Sequence, residues 1–207
     1  GSGVNPEAAR GADGARFRQK YGIAQDAPIV AFVGHKTEGK GVSDLLAAAP
    51  ALVARWPDLT LALVGAPTPG FVRRYASLPD GVRVQVLDLH LSDEDKHDLL
   101  AASSALALPS RDDSFGIVLL EAWLHGIPVV GARAGGIPEV VQEGQTGLLV
   151  PFGSASAITE AITWLLEHPA EAAQMGARGR EVTLERWTCE AVYQRVRRVY
   201  DRCIDRQ

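Results

Sequence analysis

Cysteine is nearly absent from this sequence: there are two in 207 residues, Cys189 and Cys203. Both fall in the last helical segment, where the intervening helix would set them about 21 Å apart. A disulfide needs Cα atoms within about 7 Å, so the thiols are read as reduced and the compartment as cytoplasmic. An excess of one charge is also missing. Lys and Arg number 21 against 25 Asp and Glu, for a formal net charge of −4. That balance excludes the basic surface of a nucleic-acid binder and gives no sign of an acidic, solvated tail. No apolar run reaches the roughly 18 residues that a membrane span needs. The start, Gly1 to Asn5, lacks the charged-then-apolar order of a secretory leader; Gly1-Ser2-Gly3 has the look of a cloning remnant, although Val4-Asn5-Pro6 reads naturally. No internal repeat or low-complexity tract is present.

What is there is a core. Hydrophobic residues make up 46% of the chain, enough for one sizeable domain and short for two. Residues 1–27 read as a linker or leading segment, with a short helix over 8–21, and residues 28–207 as the domain. Short apolar runs at 29–33, 59–64, 82–87, 105–108, 127–130 and 147–150 alternate with helical patterns at 42–55, 71–77, 93–103, 115–125 and 138–143. Three helices close the chain, over 155–167, 170–186 and 189–205. Several runs are apolar without alternation, as strands covered on both faces require. The expected class is α/β, a doubly wound, mostly parallel sheet of about six strands flanked by helices. Such sheets bind ligands beyond the carboxyl ends of their strands.

The loop after the first strand, Gly34-His35-Lys36-Thr37-Glu38-Gly39-Lys40-Gly41, nearly satisfies the phosphate loop of nucleoside triphosphatases, but Gly41 stands where the magnesium-holding hydroxyl belongs. It does not match Gly-x-Gly-x-x-Gly either. What both motifs share survives: flexible backbone, helix-start amides and a cation aimed at an anion. An ordinary glycine-rich turn, with Ser43 and Asp44 capping the next helix, is the alternative. Asp93-Glu94-Asp95 has the Asp-x-Asp spacing of some metal-dependent sugar transferases. Its place after Ser92 at a helix start favours capping, because acids there offset the macrodipole.

The block from Pro109 to Val130 carries most of the information. A strand ends at Ser110, a polar turn holds Asp112, Asp113 and Ser114, and an apolar helix begins near Phe115 with a single acid, Glu121. A buried carboxylate needs a partner: a ribose hydroxyl would serve, and so would backbone or Arg133. Asp113 and Glu121 span about 12 Å if the segment is helical, a suitable reach for two ends of an extended nucleotide-sugar. Beyond the next strand, Gly135 and Gly136 would let backbone approach a ligand, and Pro138 suits a first helical turn; an ordinary strand-to-helix turn is the other reading.

Taken in register, these parts resemble the C-terminal domain of the large retaining glycosyltransferase family that includes sucrose, mannosyl and lipopolysaccharide transferases (family 4, group 1), built on two facing Rossmann-like domains in the GT-B fold. The parts are Gly34 with Lys40-Gly41, Leu63-Val64-Gly65, Pro109-Ser110, Ser114-Phe115-Gly116, Leu120-Glu121-Ala122, Gly126-x-Pro128-Val129-Val130, Gly135-Gly136-Ile137-Pro138-Glu139 and Thr146 to Val150. The likeness runs from about Pro28 to Tyr200. It implies a nucleoside-diphosphate sugar as donor substrate, with no cofactor and no metal. Lys40 would bind the diphosphate, Asp113 would lie near the donor sugar, and Glu121 would bond the ribose. These three are the expected catalytic set. Gly34, His35, Lys36, Gly41, Ser114, Phe115, Gly116 and Ile117 would complete the donor site, and Leu87 to His90 would lie against the base. The resemblance also implies retention of anomeric configuration. The acceptor-binding N-terminal domain is absent from this chain, so the chain is expected to be inactive alone, and any membrane association would run through that absent domain. The closing helix would pack back toward it.

Three residues depart from the family pattern. His35 stands where Arg is usual, which implies weaker or more pH-sensitive diphosphate binding unless Lys36 substitutes. Asp113 stands for Glu, one methylene shorter, and Asp88 stands where Gly is common. Other readings stay open at this stage: a non-catalytic nucleotide-sugar-binding subunit or sensor, a sugar-nucleotide epimerase-like domain and, weakest, a P-loop nucleotidase.

Overall fold

The computed structural model describes residues 3–83 and 86–204. In chain order the elements are α1 (Gly14–Tyr21), β1 (Ile29–Val33), α2 (Val42–Arg55), β2 (Thr60–Val64), α3 (Pro69–Ala76), α4 (Asp80–Arg83), β3 (Val86–Leu89), α5 (Asp93–Ala102), β4 (Ala105–Leu108), α6 (Ile117–Leu124), β5 (Val129–Ala132), α7 (Ile137–Val140), β6 (Gly147–Val150), α8 (Ala155–Glu167), α9 (Pro169–Arg186) and α10 (Cys189–Ile204). The six strands form one sheet, parallel throughout, in the order β3-β2-β1-β4-β5-β6. This is the doubly wound arrangement, and its direction reverses between β1 and β4.

The sheet is buried on both sides. Every residue of β2 and β4 is buried, which explains why their sequences run apolar without alternation. Helices α2, α3 and α8 adjoin on one face, and α1, α5, α6 and α9 form a chain of contacts on the other. Within α2, Val42, Leu45, Leu46, Ala49 and Leu52 make the helical stripe that faces the core. The segment ahead of β1 is tied in as well. Phe17 is buried, α1 docks on α5, and Asp98 receives both the Asp13 amide and the Arg16 guanidinium.

Several boundaries differ from the expected ones by a few residues, and three of the differences bear on the sheet and the site. The run at 82–87 is not one strand: α4 takes Asp80–Arg83 and β3 starts at Val86, in register with Leu61 of β2; residues 84 and 85 lie outside the described residues. Strand β5 begins at Val129 rather than residue 127, because Pro128 has no N–H and joins the sheet only as an acceptor for Leu106. Helix α6 starts at Ile117, since Gly116 takes a left-handed φ of 72° that a helix cannot include. The expected helix end at residue 205 also lies outside the described residues. Among the described residues, no helix is long and apolar enough to cross a membrane.

Candidate functional site

From β1 the chain turns toward β2 and β3, and from β4 toward β5 and β6, so the loops beyond these two neighbouring strands part and leave a crevice. Backbone bonds fix the crevice. The Arg111 amide donates to the Gly39 carbonyl at 2.8 Å, and the Ser110 hydroxyl donates to the same oxygen at 3.3 Å. At Gly41, with φ 72°, a Cβ would stand 2.1 Å from the Pro109 carbonyl oxygen, so only glycine lets the two loops meet. A third loop braces them from below. The Gly136 amide donates to the Asp113 carbonyl at 2.8 Å, and a Cβ on Gly136 would meet the Ser114 oxygen at 2.0 Å. The paired glycines therefore admit the Asp113–Ser114 backbone, in keeping with the strand-to-helix turn that is the other reading of them.

A cavity of about 500 Å³ opens here. Gly34, His35, Lys40, Asp113, Ser114, Phe115, Gly116 and Ile117 all line it, with Asp112 and Val118. Lys40 Nζ lies 2.9 Å from Asp113 Oδ2, and the two side chains are only 24% and 18% exposed. The contact is ionic and poorly aligned: Oδ2 is buried and accepts no hydrogen bond. No side chain caps α6. Its first amides, at Ile117 and Val118, thus sit at the cavity wall with the positive end of the helix dipole behind them. Phe115 is anchored edge-on against Trp187, ring centres 5.0 Å apart. Helix α2 likewise begins on Gly41 without a side-chain cap; Ser43 donates to Glu38 at 2.9 Å instead of capping.

Five expected residues are not on the wall of this cavity, and one of them, Gly41, is taken up by the contact between the two loops. Lys36 is fully buried, ion-paired to Asp88 and set 5.1 Å from the Phe71 ring centre, so it cannot stand in for the missing arginine. Leu87 is mid-strand in β3 and faces a separate hollow with Tyr21, Ile23 and Thr60. His90 is exposed just past the end of β3. Glu121 lies one turn beyond Ile117 on α6, so it and Asp113 are not two acids on one helix. Its carboxylate accepts from Lys96 Nζ at 2.9 Å, the pair being 16% and 19% exposed. Arg133, a sequence candidate for this partner, bonds Glu143 and the Leu149 carbonyl.

Lys96 was not legible as a site residue. It lies 25 positions from Glu121, and only the α5–α6 contact brings them together. Burial opposes its charge, but the bonds to Glu121 and Asp93 outweigh that and leave its pKa raised. Lys96, Glu121, Asp93, His97 and Arg10 line a second hollow of about 470 Å³. Next to it, His97 Nδ1 and His125 Nε2 share a hydrogen bond of 2.9 Å. The Asp93-Glu94-Asp95 run is a helix start, where Ser92 accepts from the Asp95 amide and the three acids pair with Lys96, Arg16 and Lys20. Another hollow, of about 550 Å³, opens at the amino ends of the strands around Arg18, Trp56 and Pro128, the end at which doubly wound sheets do not place their ligands.

Comparison with known proteins bears on the family and the fold. The model of the family described as glycosyl transferases group 1 matches residues 13–182. A GDP-mannose-dependent alpha-(1-6)-phosphatidylinositol monomannoside mannosyltransferase of Mycolicibacterium smegmatis is 36% identical over 181 residues, covering 84% of this chain and 47% of that protein. A D-inositol 3-phosphate glycosyltransferase of Corynebacterium glutamicum is 38% identical over 172 residues, 78% of this chain and 40% of that one. The chain thus spans about half the length of the curated relatives it matches. Among solved structures, Anabaena HepE in complex with UDP superposes with a TM-score of 0.85 at 25% identity, covering 96% of this chain and 56% of that chain. The C-terminal domain of a group 1 glycosyl transferase from Francisella tularensis shares the fold over its whole length and 90% of this chain, with a TM-score of 0.79 at 19% identity.

Proposed function

The chain belongs to the group 1 glycosyl transferases, and from that premise we propose that it is the donor half of a retaining hexosyltransferase, taking a nucleoside-diphosphate sugar into the crevice between the β1 and β4 loops. The single observation that carries this reading is the convergence of Lys40, Asp113 and the uncapped start of α6 on one cavity at the switch point of the sheet. Departure of the sugar leaves charge on the diphosphate. A fixed ammonium and helix-start amides are suited to that charge because they need no reorganisation as it develops. Asp113 would lie toward the sugar. Glu121, one turn along α6, is offered to the ribose; a carboxylate has two acceptor oxygens, so it can keep Lys96 on one of them.

The relatives are about twice as long as the part matched here, and the transfer itself is assigned to the assembled protein, with the acceptor held by the other half and this half alone inactive. Tyr193, Val196, Val199 and Tyr200 form an exposed apolar stripe on α10, and we place the contact with that half there. The two exposed thiols on α10 fit the reducing cytoplasm. Calorimetric titration with GDP, UDP and ADP tests the reading: one of them binds the 207-residue chain in the micromolar to millimolar range, and the absence of binding by all three at millimolar ligand overturns it.

A further inference from the structure

The donor site contains its own competitor. Apart from His35, Lys40 is the only cationic side chain on the wall of the cavity among the described residues, and it faces two carboxylates there, Asp112 and Asp113. Asp112 is engaged by Arg111, at 3.2 Å. Asp113 is not engaged elsewhere. Its Oδ2 is buried, accepts no hydrogen bond and stands 2.9 Å from Lys40 Nζ. A diphosphate that reaches Lys40 must therefore share it with Asp113 or displace it, and either outcome leaves a carboxylate beside the phosphates.

We propose that Asp113 sets the preference of this site for the esterified donor over the free nucleoside diphosphate left after transfer, by opposing the extra charge of the product at Lys40. The inference rests on the reading of the cavity as a diphosphate site. A nucleoside-diphosphate sugar has no terminal phosphate to ionise a second time. Once the bond from the sugar carbon to the phosphate oxygen has broken, that oxygen keeps the electron pair. The free diphosphate then gains a further negative charge as pH rises past about 6. Lys40 and the α6 amides favour this charge, and Asp113 opposes it at short range in a partly buried site where Coulomb terms are large. Product release is thus driven by a fixed charge, with no moving part.

The test is a comparison of affinities for the free diphosphate and the sugar ester, GDP with GDP-mannose and UDP with UDP-glucose, in the wild-type chain and Asp113→Asn. Titrations at pH 5.5 and pH 8 are needed, with Asp113→Ser as the second variant should the first not fold. Any contribution of His35 is present in wild type and variant alike and drops out of the comparison between them. At pH 8, Asp113→Asn shifts the ratio toward the free diphosphate by about tenfold, and at pH 5.5 by much less. Both ligands weakening in proportion, a ratio that does not move, or a shift equal at the two pH values overturns the inference while leaving the donor site standing. Failure of all four ligands to bind the wild type overturns the donor site itself.

Discussion

In the cavity proposed to take the diphosphate the backbone does most of the work: glycines let three loops touch, a left-handed residue opens α6, and one lysine and two aspartates face the space they enclose. Outside this cavity, the charged groups near the positions proposed to meet the nucleoside are already engaged. Lys36 is buried on Asp88, and Glu121 is held by Lys96. The first end offers an anion the uncapped amides of α6 and a lysine that it must share with Asp113. The second can take a ligand only by joining existing pairs, and it should discriminate more and bind less. The difference follows from the ligand, since phosphates can be gripped by amides that any sequence supplies, whereas a ribose and base need particular side chains held in place.

Separating the two ends is the largest effect expected. Lys40→Met removes a charge-assisted bond to the diphosphate worth about 1.5–3 kcal/mol, roughly 10- to 150-fold in affinity for a nucleoside diphosphate. It leaves binding of the bare nucleoside nearly unchanged. Glu121→Gln does the reverse in kind, weakening nucleoside and nucleoside diphosphate by one common factor. If Lys40→Met weakens the nucleoside as much as its diphosphate, the division into two ends is wrong.

The same contrast explains what could be read in the sequence. Gly34, Lys40, Asp113 and Gly116 were legible because turn glycines, a nearby cation and a helix start are local features, and the structure gathers them on one cavity. The partner of Glu121 was not, because Lys96 is near it only through the packing of α5 on α6. Nor was the fate of Lys36: a lysine beside a phosphate-like loop looks available, and only the position of Asp88 on β3 shows that it is spent inside. In the fold, five of the six apolar runs became strands, with β1, β4 and β6 at the expected bounds. The exception, residues 82–87, was split by a helical turn ahead of Val86.

A smaller effect lies behind the nucleoside end, in the His97–His125 pair. Burial, then the proximity of His97, pushes the His125 imidazole down to about 4, and burial lowers His97 as well. A histidine whose folded pKa lies below its unfolded value contributes its full stability above the unfolded pKa. That stability is lost as pH falls through the interval between the two, here from about 6.5 toward about 4. The loss at the acid end is on the order of 1–2 kcal/mol once solvent screening is allowed for. His125→Gln should flatten the pH dependence of the thermal midpoint across that interval. The phosphate end has no comparable element, so donor affinity should not share this acid transition; an unchanged slope in the variant would detach the pair from the stability of the α5–α6 contact.

The smallest effect is at the other wall of the phosphate cavity, and it tests whether that end is as complete as it looks. His35 is exposed and lines the cavity where the resemblance to the family leads to the expectation of arginine, and Lys36 is too deeply engaged to replace it. A guanidinium carries a permanent charge and can grip a phosphate with two donors, which an imidazole cannot. His35→Arg should therefore raise affinity for the sugar ester about three- to tenfold at pH 8, read by the same titration. His35→Ala should lower that affinity by less than the arginine raises it, an outcome that a loop-packing role for His35 would not produce. An arginine that gains nothing would mean that Lys40 and the α6 amides hold the diphosphate unaided, and that the arginine of the family pattern has no place to act in this chain.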